Sequence, residues 1–180
     1  LDIKESTALI DPSFSPIPSG KQAVYRPSIV APAMQGETRD TVYDNIQLPA
    51  VIQAYRIPAQ GTDDAYAVEM LSTLLAVGNS SRLSKRAVDQ DQLAVFAGAF
   101  PLAMEDDGVL INYGIANMGV DPMDLEKLYD EEVEKVKNEL ISEQEFQKLQ
   151  NQIENQILSS NASTAGIAES LANYHMYFGD

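Results

Sequence analysis

The chain lacks cysteine and tryptophan and contains one histidine and no long apolar run. Without cysteine there is no disulfide framework and no thiolate chemistry. The compartment stays open, because many exported proteins lack cysteine too. A membrane-spanning helix needs about 18–20 consecutive apolar residues. The longest apolar stretches, such as residues 93–100, have only strand length and are broken by Gly98. With His175 as the sole histidine, the usual hydrolytic zinc site cannot be assembled, since it takes three protein ligands, commonly two or more His. A Ser-His-Asp triad would also have to use His175, and no Gly-x-Ser-x-Gly elbow is present. Basic residues are scarce: 12 Lys and Arg stand against 27 Asp and Glu, a net charge of −15. No Lys/Arg cluster offers a phosphate-binding face, which argues against nucleic acid and against an anionic membrane surface as partners.

The residues present describe a globular chain. An apolar fraction of 44% in 180 residues suffices for a sizeable core and holds one domain plus a tail. Residues 121–154 carry 11 acids and 4 bases, about half the net charge, on two amphipathic patterns, as solvated helix faces do. The chain opens at Leu1 without an initiator Met and without a charged region leading into an apolar one, so an upstream segment is expected.

Residues 1–14 space Ile3, Leu9, Ile10 and Phe14 as one or two helical turns, interrupted by Pro12. Five of the nine prolines (Pro12, Pro16, Pro18, Pro27, Pro32) fall within residues 12–32. Proline fixes φ and removes a donor, so this stretch is expected to be extended linker. Strands are predicted at 41–47 and 50–57, bounded by Pro49 and Pro58. Thr62 with Asp63 and Asp64 then opens a helix. It carries Ala67, Met70, Leu71, Leu74 and Leu75 on one face, and Gly78 closes it. Ser80 or Ser81 can cap a short helix through Val88. Residues 93–100 and 108–116 read as strands joined by an acidic hairpin turn. Asp121-Pro122 starts a helix with Leu125, Leu128, Val133, Val136 and Leu140 as its buried stripe. Ser142 and Glu145 form a capping box for the next. That helix places Phe146, Leu149, Ile153 and Ile157 on one face, and residues 165–178 make a last helix. The order ββααββααα with short turns predicts an α+β fold, an antiparallel sheet with helices on one face.

The remaining motifs carry no chemistry. Gly78-Asn79-Ser80-Ser81-Arg82 follows a helix and lacks the Gly-Lys-Ser/Thr ending of a phosphate loop, so it reads as a turn. Acidic pairs such as Asp106/Asp107 lie in a turn and are expected to be solvated, and the sequons at Asn79 and Asn161 are expected by chance in a Ser- and Asn-rich chain. A lone histidine beside Tyr174, Met176, Tyr177 and Phe178 reads as a core or interfacial residue. The sequence therefore predicts neither a catalytic nor a metal-binding residue, and no activity for this chain alone.

Several segments, in order, carry a family resemblance. Leu48-Pro49 leads into Tyr55-Arg56-Ile57-Pro58; a helix runs from Asp63 to Leu75; Gly78-Asn79-Ser80-Ser81-Arg82-Leu83 is the closest match to a G-x-x-S-S-R-L turn; Gly108 opens a strand after the acidic turn; and Ile141 to Glu145 starts a helix. From Thr41 to Asp180 the chain resembles the second, non-catalytic domain of the pitrilysin/insulinase/mitochondrial-processing-peptidase family of zinc metallopeptidases. The resemblance implies the LuxS/MPP-like metallohydrolase fold. It implies that residues 1–20 are the tail of a preceding catalytic-type domain, 21–40 a Pro-rich linker, and 41–180 the non-catalytic domain, truncated at its C-terminus. The family's His-x-x-Glu-His motif is absent, so zinc is expected in an upstream domain and no cofactor in this chain. The family's substrate-contacting Arg and Tyr, seven residues apart, align with Val88 and Val95, and neither Val can donate a hydrogen bond.

As function, the resemblance implies a chamber-forming domain of a zinc-dependent metallopeptidase, contributing packing and substrate enclosure. The implied partners are its own upstream catalytic domain, a second peptidase-family half or subunit, and an extended peptide substrate, with a weak preference for basic peptides from the acidic surface. One alternative is a scaffold or interaction subunit of the same family without peptidase activity; another is a free-standing acidic binding module.

Overall fold

The fold was obtained as a computed structural model that describes residues 2–20, 25, 27 and 32–179. The chain divides into two compact units, Leu1–Ala33 and Met34–Asp180.

In the first unit, helix α1 (Ile3–Phe14) starts at Asp2, whose side chain accepts a hydrogen bond from the Lys4 amide at 2.7 Å. Pro12 does not interrupt it as expected. The helix runs past Pro12 to Phe14 and stops where the Ser15 amide bonds the Asp11 carbonyl. Standing in the last turn, Pro12 removes the one bond its amide would have given to the Ala8 carbonyl, so it weakens the helix end without preventing the turns before it. No side chain of α1 is buried. The expected linker falls in large part on residues 21–24, 26 and 28–31, which lie outside the described residues.

The second unit opens with residues 34–49, which form neither helix nor strand. The strand predicted at 41–47 is therefore absent. Asp40 accepts from the Thr41 amide at 2.8 Å. Asp44 accepts from the Asn45 amide at 2.7 Å. Local side chains thus take up donors that a ladder would use. Val42 and Tyr43, the residues that suggested a strand, stand in solvent.

Three strands follow: β1 (Ala50–Pro58), β2 (Ala94–Ala103) and β3 (Asp107–Ala116). They form an antiparallel sheet in the order β1-β3-β2, with Ile52 opposite Tyr113 and Phe100 opposite Ile111. β2 is longer than predicted and continues through Pro101, which an edge strand tolerates. The helices are α2 (Asp63–Ala76), α3 (Pro122–Asn138), α4 (Glu143–Ser160) and α5 (Thr164–Phe178). Their starts follow the predicted chemistry. Thr62 accepts from the Ala65 amide, Asp121 from the Met123 amide ahead of a first-turn proline, and Ser142 forms the capping box with Glu145. Gly78 closes α2 with a φ of +81°, a conformation that a side chain would strain.

The even-numbered residues of β3 face the helices. Leu110, Asn112, Gly114 and Ala116 are buried, and Leu75, Leu83, Ala87, Leu125, Leu128 and Tyr129 pack into the same core. Tyr129, absent from the predicted stripe, is the largest wholly buried side chain. Its hydroxyl donates to the Tyr113 carbonyl at 2.7 Å. That bond satisfies the one polar atom that burial would penalise. Leu140 is fully exposed rather than buried, because α3 ends at Asn138 before reaching it. Ala67 is exposed, and α2 buries its C-terminal half, Ser72 to Leu75. On α4, Leu149 is buried, whereas Phe146 is only partly covered and Ile157 is largely exposed. The result is an α+β fold with a three-stranded antiparallel sheet.

A Cβ at Gly114 would run into the Tyr129 hydroxyl and lie 3.0 Å from Leu125 Cδ2, so the helix layer can approach only because this residue is glycine. Gly114→Ala should destabilise the chain by about 2–3 kcal/mol, as overpacked cores do. At Gly119 no atom lies near, but φ is +81°. Gly119→Ala should cost about 1 kcal/mol. Urea unfolding of both variants checks the ranking.

Candidate functional site

The motif residues and the two valines singled out by the resemblance, Val88 and Val95, fall together on the segment from Gly78 to Val95. Its first part is clamped by α4. Arg82 donates from Nε and Nη2 to the two oxygens of Glu145, both at 3.0 Å, a bidentate pair. Lys148 Nζ donates to the Ser80 carbonyl at 3.0 Å and Gln152 Nε2 to the Val77 carbonyl at 3.4 Å. Glu145 also accepts from the Ser142 amide at 3.3 Å, so one carboxylate both caps α4 and anchors the turn. The Arg82 bond outweighs the effect of burial and, with the Ser142 amide, brings the Glu145 carboxyl down to about 2. The Ser-Ser-Arg-Leu turn is thus a structural joint.

The short helix expected through Val88 is instead a π-helical segment, Ser84–Gln90, preceded by Leu83 without a side-chain cap. Neither Ser80 nor Ser81 caps it; Ser81 is buried, and its Oγ meets no partner among the described protein atoms. The Asp91 amide bonds the Arg86 carbonyl at 2.9 Å, closing the wide turn. Arg86 then reaches across to α3, donating to Glu132 Oε1 at 2.8 Å and pairing with Glu131, with Asp91 at 3.4 Å. Lys135 completes the pairing of Glu132 at 2.7 Å. The Glu132 side chain is only 5% exposed. Burial alone would raise its carboxyl, but the bonds from Lys135 and Arg86 more than offset this and hold it below the usual range.

Two further irregularities lie downstream. Gln92 has a φ of +53°, its carbonyl taken by Asn117 Nδ2 at 2.6 Å. β2 then begins with a bulge, since Ala94 opposes Ala116 and Phe96 opposes Ile115, leaving Val95 as the extra residue. Val88 and Val95 accordingly lie in different environments. Val88 packs against the core, and Val95 is 54% exposed on the bulge.

No catalytic constellation emerges from this geometry. Among the described residues no group of three His, Cys, Asp or Glu is placed to hold a metal ion. The zinc that a metallopeptidase needs does not fit the residues here: His175 lies on the exposed last turn of α5, not in a core, and the acids near Arg86 are spent on cations. A recess of about 290 Å³ lined by Arg86, Asp91, Leu93, Asp124, Lys127, Leu128 and Glu131 has that paired arginine in its wall. No described helix is long and apolar enough to cross a membrane. Arg86 and Glu132 are not marked out in the sequence, since partners 46 residues apart leave no periodic signal, whereas Tyr129 stands four residues after Leu125, a spacing that helical periodicity marks.

Comparison with known proteins agrees with this architecture. A sequence model described as the peptidase M16 inactive domain matches residues 1–153. The chain belongs to that family. It is 28% identical over 155 residues to the zinc protease PqqE of Helicobacter pylori, a match covering 86% of this chain and 35% of that protein. Its fold superposes with a TM-score of 0.84 on the crystal structure of a protease from Helicobacter pylori, at 24% identity, over 97% of this chain and 43% of that one. It also resembles a peptidase M16 inactive domain from Pseudomonas fluorescens, with a TM-score of 0.62 at 19% identity, over 71% of this chain and 30% of that one. The chain thus spans about a third of the curated relative it matches.

Arg86→Met leaves Glu132 buried with Lys135 alone and should cost about 3 kcal/mol at neutral pH. The folded carboxyls of Glu132 and Glu145 sit below their unfolded values. Their contribution is therefore full above the unfolded pKa of about 4.3 and fades as pH falls through the folded values. The Arg86→Met loss should accordingly shrink in urea titrations repeated at pH 3. At the family positions, Val88→Arg should destabilise by about 2 kcal/mol by placing a charge against the core. Val95→Tyr should change stability by under about 0.5 kcal/mol; thermal melts of the two variants separate them.

Proposed function

We propose that this chain is a non-catalytic, chamber-forming domain of a zinc-dependent metallopeptidase that hydrolyses peptides, and that its zinc site lies in an upstream catalytic domain. The observation that carries this is its membership of the peptidase M16 inactive-domain family, joined to a sequence with one histidine and no cysteine. Sequence similarity to a zinc protease supports the same reading. The domain's contribution is packing and enclosure: it presents a sheet to a neighbour and helps keep the peptide from escaping. β2 supports a role in holding an extended peptide, since it is an edge of the described sheet, spans ten residues and carries no charged side chain. An extended substrate adding to such an edge gains main-chain hydrogen bonds without regard to its sequence.

Val88 and Val95 stand where the family's Arg and Tyr would contact substrate, so on this reading a partner half supplies that pair. The same two residues favour the second reading, a scaffold of the family without peptidase activity.

Expression of the whole parent reading frame, followed by zinc analysis and cleavage of a quenched fluorescent peptide, decides between them. The expected result is stoichiometric zinc, cleavage abolished by a chelator, and no cleavage by residues 1–180 alone. A parent that binds no zinc and cleaves nothing in any subunit combination would sink the peptidase reading and leave the scaffold.

A further inference from the structure

Residues 34–49, ahead of β1, form neither helix nor strand, and Met34, Val42, Tyr43 and Ile46 stand in solvent. Such a segment has little apolar burial to hold it. The Asp40 and Asp44 carboxylates each accept from the next amide along, and the Ile46 amide bonds the Asp44 carbonyl, so these bonds close back on the segment itself. Among the described residues, the hydrogen bonds that leave residues 37–47 all come from Arg39. Its Nη1 donates to Glu126 Oε2 at 3.2 Å and its Nη2 to Glu126 Oε1, on α3 and 87 residues away.

This contact is specific in shape and open to solvent. The guanidinium engages both carboxylate oxygens, the geometry of a strong charged pair, and Glu37 offers the same guanidinium a second acid. The Glu126 side chain is 17% exposed but that of Arg39 is 57% exposed, so dissolved ions reach the pair and screen it. Burial first, and then the charges of Asp130, Glu37 and Glu126, push the Tyr55 phenol up. The segment therefore passes within electrostatic reach of β1 as well as of α3.

We propose that the Arg39–Glu126 pair is an ionic latch: it holds residues 37–47 as a strap against α3, and raised salt releases the strap while the sheet and helices stay folded. Release can remain local because the attachments behind it are independent of the pair. The Ala116 amide bonds the Pro49 carbonyl at 2.9 Å, and β1 is paired with β3 from Ala50 onward. The stretch leading into β1 thus has two states, held and free, whichever function the domain serves.

A spin-label distance measurement on the full-length parent protein tests this. The chain has no cysteine of its own. Val42→Cys on the strap and Met123→Cys in the first turn of α3, both exposed positions, carry the labels once any cysteines elsewhere in the parent are replaced. Raising salt from about 0.1 M to about 1 M cuts the Debye length from about 10 Å to about 3 Å. Exposed ion pairs shift a local equilibrium by up to about fivefold. The latch predicts one narrow distance at the lower salt. The population at that distance should fall at least twofold at the higher salt and, without added salt, in Glu126→Gln. A broad distribution at the lower salt overturns the strap. A narrow one that Glu126→Gln leaves unchanged overturns the latch, because other contacts then hold the segment. A loss in Glu126→Gln without a response to salt overturns the release and makes the pair a fixed attachment. Circular dichroism must show the protein folded in each condition; Arg39→Gln replaces Glu126→Gln if that variant is not.

Discussion

The distance between the helix layer and the sheet is set at one point, where α3 lies against β3. Gly114 lacks the atom that would push Tyr129 away, and the Tyr129 hydroxyl reaches the Tyr113 carbonyl while its ring is wholly buried. A tyrosine can occupy a core at little cost only when its hydroxyl finds a partner. With that spacing fixed, β2 meets the helix layer through the small residues Ala94 and Ala97. Leu75, Leu83, Leu125 and Leu128 then fill the remaining volume.

Between the core and the start of β2 the backbone departs from regularity three times, in the π-helical segment, at Gln92 and at the Val95 bulge. Of the three only Gln92 holds a left-handed φ, +53°, a conformation that costs a non-glycine residue about 1–3 kcal/mol and persists only where surrounding contacts over-determine it. Here the contacts are identifiable. Arg82 fastens one end of the segment to α4, Arg86 fastens its middle to α3, and Asn117 holds the Gln92 carbonyl. The irregularity turns Val88 toward the core and leaves Val95 in solvent.

Much of this fold is legible in the residues. Helix starts are local, and Thr62, Asp121 and Ser142 each act on amides two or three residues away, so their signatures survive in sequence. The alternation in β3 is equally plain. What sequence hides is tertiary: Glu132 reads as one more acid on a solvated helix until Arg86 is brought over it from 46 residues upstream. The strand expected at 41–47 fails for the opposite reason, since Asp40 and Asp44 satisfy nearby amides locally. As for the site, composition shows a single histidine and no cysteine, and the family resemblance singles out Val88 and Val95. Their different burial cannot be read from the sequence, because it depends on a π-turn and a bulge that have no fixed signature.

The double duty of Glu145 bears on how this chain can change over time. Arg82 and Glu145 are 63 residues apart, and Ser142 depends on the same carboxylate for its cap. A lineage that loses the arginine leaves an acid without its counter-ion, while one that loses the acid frees both a guanidinium and a helix start. Drift at these three positions should therefore be joint, and relatives with a different pairing here should have replaced the whole joint at once.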